Sequence, residues 1–224
     1  MAMPANVSKL LLRKVPLFAM LPEDQLAMLA MLVRRRSFPR GSTIIAAGDV
    51  TDSLYLVISG RLKVMIGDDS GHQVILSLLG PNEYFGEMVP IDDSPRSASV
   101  MALEPCDLLV LSKREFRKCL SENFEMTMTV MRCLVQRLRE ADRKIGNLAL
   151  MDVYGRVVGL LMEMSEVIDD QHVVTQKVVK QDMARMIGAS REMVSRVMKD
   201  LQLRGIIEVR GKAIYLRDNI ESID

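Results

Sequence analysis

The sequence predicts an α+β chain: a β sandwich or jelly roll first, a long helix next, and a winged helix-turn-helix last. Three observations carry this. Short apolar, β-branched runs are separated by glycines through the first half. A heptad-like apolar seam runs through the middle. Two short amphipathic helices joined by a glycine turn precede a β-hairpin near the end. The expected segments are a β-roll over 16–116, a helix over 117–146 and a winged-helix domain over 150–224. A chain of 224 residues has room for one large and one small domain, each with its own core.

Composition narrows the class. The formal net charge is only +1, from 30 Lys and Arg against 29 Asp and Glu. Cys106, Cys119 and Cys133 are few, odd in number and scattered, which points to a reducing cytoplasm and not to a disulfide framework. No apolar run reaches membrane-spanning length, and Leu10-Leu11-Leu12 is broken at once by Arg13-Lys14, so neither a span nor a signal peptide is expected.

Leu21 to Leu29 reads as a short amphipathic helix with Pro22 near its start. The strands expected after it include Thr43–Ile45, Leu54–Ile58, Leu62–Ile66 and Val74–Leu76, with turns at Gly41, Gly48, Gly60, Gly67 to Gly71, Gly80 and Gly86. His72 falls in a hairpin turn and His172 in a loop, where both read as solvated side chains.

Phe85 to Val100 holds the first chemically informative run. A phosphate is held by free backbone N–H groups and a cation. Gly86 lets the backbone come close, a helical turn from Glu87 offers N–H groups, and Arg96 supplies a guanidinium fork. Ser97 adds a hydroxyl donor, and Glu87 can accept from a ribose hydroxyl. Pro90 removes one N–H from that short helix.

A single long helix is expected from about Lys113 to Gly146. Phe124, Met128, Met131, Val135, Leu138, Asp142 and Ile145 step by four and three residues, and Leu120, Thr127, Leu134, Ala141 and Leu148 form a companion row. A two-row seam of this length fits a parallel helix pair across a dimer axis. Met126, Met128 and Met131 read as adaptable core filling, and Asn147 to Leu150 as a hinge. Asp142 stands out, because a carboxylate in an apolar interface is costly unless paired.

Gln181 to Ile187 then reads as a helix with Met183, Ala184 and Ile187 on one face; Gly188 makes the turn and Ser190 caps the next helix. There Met193, Val194, Val197 and Leu201 form the expected buried stripe, while Arg191, Glu192, Ser195, Arg196 and Lys199 face outward. Arginine pairs with guanine O6 and N7 and glutamate accepts from cytosine N4, so this face suits double-stranded DNA. Leu203 to Leu216 gives a wing with the basic tip Arg210-Gly211-Lys212. Between Lys177 and Arg217 ten Lys and Arg face four Asp and Glu, so basic charge is concentrated where phosphates would be met.

Two motifs, Phe85-Gly86-Glu87 followed by Arg96-Ser97-Ala98, and Ser190-Arg191-Glu192 followed by Arg196, resemble those of the Crp-Fnr family of bacterial transcription regulators. The resemblance runs from about Phe18 to Leu216. It implies a cyclic-nucleotide-binding β-roll, a dimerisation helix and a winged DNA-binding head, with no enzymatic activity. Glu87 would take the ribose 2′-OH, and Gly86, Arg96 and Ser97 the cyclic phosphate. Arg191, Glu192 and Arg196 would read palindromic TGTGA-like half-sites, with Ser190, Gln181 and Lys212 on phosphates. RNA polymerase is the further partner implied.

The chain departs from the pattern at Val179, where the family's cyclic-AMP receptor has a hydroxyl residue near the DNA backbone. It departs again at Ala141 and Asp142, where that receptor has hydroxyls on adenine. A carboxylate accepts well from guanine N1–H and N2–H, and Arg139 to Asp142 has the Arg-x-x-Asp spacing of cyclic di-GMP sites. Alternatively Asp142 pairs with Arg139 or Arg143 across the dimer. The effector is therefore cyclic AMP, cyclic GMP or cyclic di-GMP, none held covalently. Rival readings are a constitutive regulator without ligand and a jelly-roll enzyme. The enzyme lacks a metal or acid–base set, an iron–sulfur cluster needs four cysteines where three exist, and no metal site is expected.

Overall fold

The computed structural model describes residues 5–176 and 178–217. Lys177, counted in the basic excess, and 218–224 of the expected winged-helix segment lie outside the described residues. The chain divides into two compact units, Met1–Leu138 and Arg139–Asp224.

The first unit begins with α1 (Ala5–Lys14), a 3-10 turn (Pro16–Phe18) and α2 (Glu23–Leu32). Eight strands follow: β1 (Arg34–Phe38), β2 (Thr43–Ile45), β3 (Leu54–Ser59), β4 (Leu62–Gly67), β5 (Gln73–Leu79), β6 (Tyr84–Phe85), β7 (Ser99–Ala102) and β8 (Cys106–Leu111). They form two four-stranded antiparallel sheets ordered β1-β8-β3-β6 and β2-β7-β4-β5, which is the expected jelly roll. Ile45, Tyr55, Val57, Leu62, Leu79, Phe85, Val100 and Leu108 fill the space between the sheets.

Strand β3 explains its own uninterrupted apolar run. Tyr55 and Val57 face the sandwich interior, while Leu54 and Leu56 pack outward on a second core. That second core takes Leu12, Phe18, Leu26 and Leu29 from the N-terminal segment, Phe116 from α4 (Lys113–Glu122), and Met126 and Val130 from α5 (Phe124–Leu150). A short helix, α3 (Met88–Asp92), lies between β6 and β7.

Four expectations along the helical segment need correction. The single helix from Lys113 is broken at Asn123, whose backbone is extended. The Asn123 side-chain carbonyl accepts from the Met126 N–H at 2.8 Å and so caps a new helix. Helix α5 then runs through the expected hinge to Leu150, and the break falls at Met151 and Asp152. Of the three methionines, Met126 is buried but Met131 is exposed, so it fills no core within the chain. Leu120 and Leu134 of the companion row pack on the β-roll core and not outward.

The second unit holds α6 (Val153–Met164), β9 (Glu166–Ile168), β10 (Gln171–Val174), α7 (Lys180–Ile187), α8 (Arg191–Leu203), β11 (Ile207–Arg210) and β12 (Ala213–Leu216). Its sheet runs β11-β12-β10-β9. Val157, Leu161, Val174, Met183, Ala184, Val194, Leu201 and Ile214 make its core. His172, expected in a loop, sits in β10 and meets the Ser165 hydroxyl at 3.1 Å. The apolar alternation around it was too short to declare a strand.

Candidate ligand cradle and nucleic-acid interface

In the first unit β6 ends at Phe85 and the backbone swings through Gly86 at φ +81°, a conformation that favours glycine. A Cβ there would lie 2.6 Å from Arg96 Nη1 and 3.0 Å from the Ser53 carbonyl, so glycine is also what admits the guanidinium. Arg96 donates from Nη1 to the Gly86 carbonyl at 2.8 Å, from Nη2 to the Ser53 carbonyl at 2.7 Å, and from Nε to the Thr51 hydroxyl at 3.2 Å. Its guanidinium carbon lies 6.0 Å from the Tyr55 ring centre. Arg96 is only 4 % exposed and forms no ion pair among the described residues. Burial pulls its pKa below the usual arginine range, opposed by Tyr55, Asp52, Glu87 and Asp49.

Glu87 is 2 % exposed and caps α3 in sequence. Its carboxylate accepts from Arg137 Nη1 at 2.6 Å, while Arg137 Nη2 donates to the Tyr84 carbonyl at 2.8 Å. The Arg137 guanidinium also lies over the Tyr84 ring at 5.1 Å. Ser97 is exposed, with its hydroxyl 3.7 Å from the Met88 sulfur. Pro90 is the third residue of α3, where no intrahelical N–H bond is made, so the ring costs that helix nothing. The far end of α3 is held by α4: Arg117 donates to the Pro90 carbonyl at 2.6 Å and, with Lys113, pairs with Asp93.

The structure thus gathers Gly86, Glu87, Arg96 and Ser97 in one place. It adds Thr51, Ser53 and Arg137, which sequence reasoning missed. A signal for Arg137 existed. Met126, Val130, Cys133 and Arg137 form the face of α5 turned to the β-roll core, and a lone arginine in such a row implies a buried carboxylate partner. Arg139 and Asp142 belong to the second unit, where both are exposed on α5.

In that unit α7 ends at Gly188, φ +63°, and the Ser190 side chain caps α8 by accepting from the Met193 N–H at 3.2 Å. Arg191, Glu192, Arg196 and Lys199 are exposed and form no hydrogen bond or ion pair among the described residues. Gln181 is exposed in the first turn of α7. At the wing tip Lys212 is likewise exposed and unpaired, whereas Arg210 is engaged by Glu208 at 2.8 Å and stacks 4.5 Å from the Tyr215 ring centre. One expectation fails: Met193 is not in the buried stripe, which consists of Val194, Met198 and Leu201, with Val197 partly covered.

A buried carboxylate and guanidinium beside a glycine turn, followed in sequence by a winged helix with a bare charged face, match the layout of a transcription regulator with a ligand-type domain and a DNA-binding head. The comparisons agree: residues 35–123 match the cyclic nucleotide-binding domain and residues 155–219 the Crp-like helix-turn-helix domain. The chain is 34 % identical over 189 residues to the cAMP-activated global transcriptional regulator Vfr of Pseudomonas aeruginosa, covering 81 % of this chain and 88 % of that one. It is 35 % identical over 183 residues to the cAMP-activated global transcriptional regulator CRP of Haemophilus influenzae, covering 80 % and 82 %. Among solved structures, the c-di-GMP responsive global regulator CLP of Xanthomonas campestris superposes with a TM-score of 0.71 at 30 % identity, covering 84 % and 95 %. The chain belongs to the Crp-Fnr family. It is a DNA-binding transcription regulator with a cyclic nucleotide-binding domain, not an enzyme. No helix among the described residues is long and apolar enough to cross a membrane.

Proposed function

We propose that this chain is a homodimeric, ligand-responsive regulator of the cytoplasm. Its β-roll takes a cyclic nucleotide, and its paired α8 helices read a palindromic TGTGA-like site. Arg191, Glu192 and Arg196 would meet base edges; Ser190, Gln181, Lys199 and Lys212 would meet phosphates. The observation that carries the ligand reading is Arg96: a guanidinium 4 % exposed, without an ion pair, beside the positive-φ Gly86. Its bonds to Thr51, Gly86 and Ser53 use three of its five N–H groups, and two remain for an anion. Dimerisation is supported by Phe124, Met131, Val135, Leu138 and Ile145, all exposed on α5. RNA polymerase would be the further partner of the DNA-bound dimer.

Cyclic di-GMP is a second reading, supported by Asp142 in place of a hydroxyl and by the likeness to CLP. A carboxylate suits guanine's paired N–H donors better than adenine. Calorimetry with cyclic AMP, cyclic GMP and cyclic di-GMP tests both. One of the three should bind the wild type and lose binding in Arg96→Ala while the variant stays dimeric. Binding of none would leave a constitutive regulator. A wild-type preference for cyclic AMP that persists in Asp142→Ser would remove the guanine reading.

A further inference from the structure

One side chain on α8 has no place in a purely charged reading face. Met193 is the third residue of the helix, in a turn fixed by the Ser190 cap, and it is 43 % exposed. Helical geometry explains why it escapes the core. At ~100° per residue, Val194, Val197, Met198 and Leu201 span an arc of roughly 100°, and Met193 lies ~40° beyond Val197 on the side towards Arg196. Within 191–199 it is the one exposed apolar side chain among the described residues; Arg196, about 60° away, and Glu192, about 100° away, are nearest to it on the open face, while Arg191 lies on the opposite flank.

Charged side chains account for the donors and acceptors of a major groove, but not for its one apolar feature, the thymine 5-methyl group. A methionine suits that group: it is unbranched, polarizable and able to adjust its reach. Against polar base edges alone it would strip water from donors and acceptors that it cannot satisfy.

We propose that Met193 is a specificity-determining residue that packs on a thymine 5-methyl next to the base pairs read by Glu192 and Arg196. The proposal rests on α8 being the reading helix, and the test separates the two. The probe is the duplex that the full-length wild type selects from a random-sequence pool, with each thymine replaced in turn by deoxyuridine, which removes only the methyl. Fluorescence anisotropy should show the wild type losing about fourfold in affinity at one thymine per half-site, as expected for one buried methyl. Met193→Ala, which removes the contact from both half-sites, should bind the thymine duplex about fifteenfold more weakly and no longer distinguish the uracil duplex. Met193→Leu should keep the discrimination. Met193→Gln, which keeps length and loses the apolar end, repeats the test if alanine disturbs folding. Equal wild-type affinity for every substituted duplex, or unchanged methyl preference in Met193→Ala and Met193→Gln, overturns the proposal. Arg191→Ala supplies the independent arm. If it discriminates guanine as the wild type does, α8 is not the reading helix; if it loses that discrimination while uracil has no effect, only the role of Met193 fails.

Discussion

Arg137 controls the charge balance beneath the ligand cassette. Glu87 is almost fully buried, and the Arg137 guanidinium 2.6 Å away is its ion-pair partner. Arg137→Ala should therefore lower stability by on the order of 1–3 kcal/mol, the cost of a buried acceptor left unmatched. Adding Glu87→Gln should return part of that loss, since a neutral amide is less costly to bury than a bare charge. Urea denaturation of the two variants measures this; equal midpoints for wild type and Arg137→Ala would show that Glu87 is held by something else. Gly86, Glu87, Arg96 and Ser97 were legible through the family motif that they match, since their spacing alone would equally fit a surface loop. Arg137 was not, because a charged residue on a long helix is usually read as solvated, and only its place in the row with Met126 and Val130 says otherwise.

Among the elements, α8 and the wing would divide the work of meeting DNA in the proposed reading. Lys212 stands unpaired at the hairpin tip, while Arg210 is already held by Glu208 and Tyr215. Lys212→Ala, which removes one phosphate contact from each protomer of the proposed dimer, should weaken binding to all sequences alike and reduce the slope of log affinity against log salt by about 2. Titrations of specific and random duplexes at several salt concentrations check this; an unchanged slope would take Lys212 off the phosphates. The winged helix was readable because Gly188 and Ser190 are strong punctuation between two short periodic runs. The break between α4 and α5 was harder to see. Leu120 and Thr127 keep the seven-residue spacing straight across it, so periodicity predicts continuity, while the Asn123 cap forces a stop. Met193 failed for a related reason: a four-residue step from a buried neighbour tells little about a position at the edge of the stripe.

For the whole molecule, the exposed seam on α5 is the surface that the proposed dimer would bury. Leu138→Glu should shift the protein from dimer to monomer in sedimentation velocity and weaken binding to a two-half-site duplex far more than to one half-site. A dimer of unchanged affinity would place the interface elsewhere. The order of roll, helix and winged head was legible because each part has its own residue period; what covers each face was not, as Leu120 and Leu134 show by packing inward. Arg96 carries a last consequence. Arg96 is buried without an ion pair among the described residues, and an anion bound there would stabilise the fold by mass action, by about 2.7 kcal/mol at a hundredfold excess over its dissociation constant. Shifts of this size change steady-state abundance several-fold under proteolysis in cells. The effector would then act as a folding ligand, setting how long each regulator molecule survives as well as what it binds.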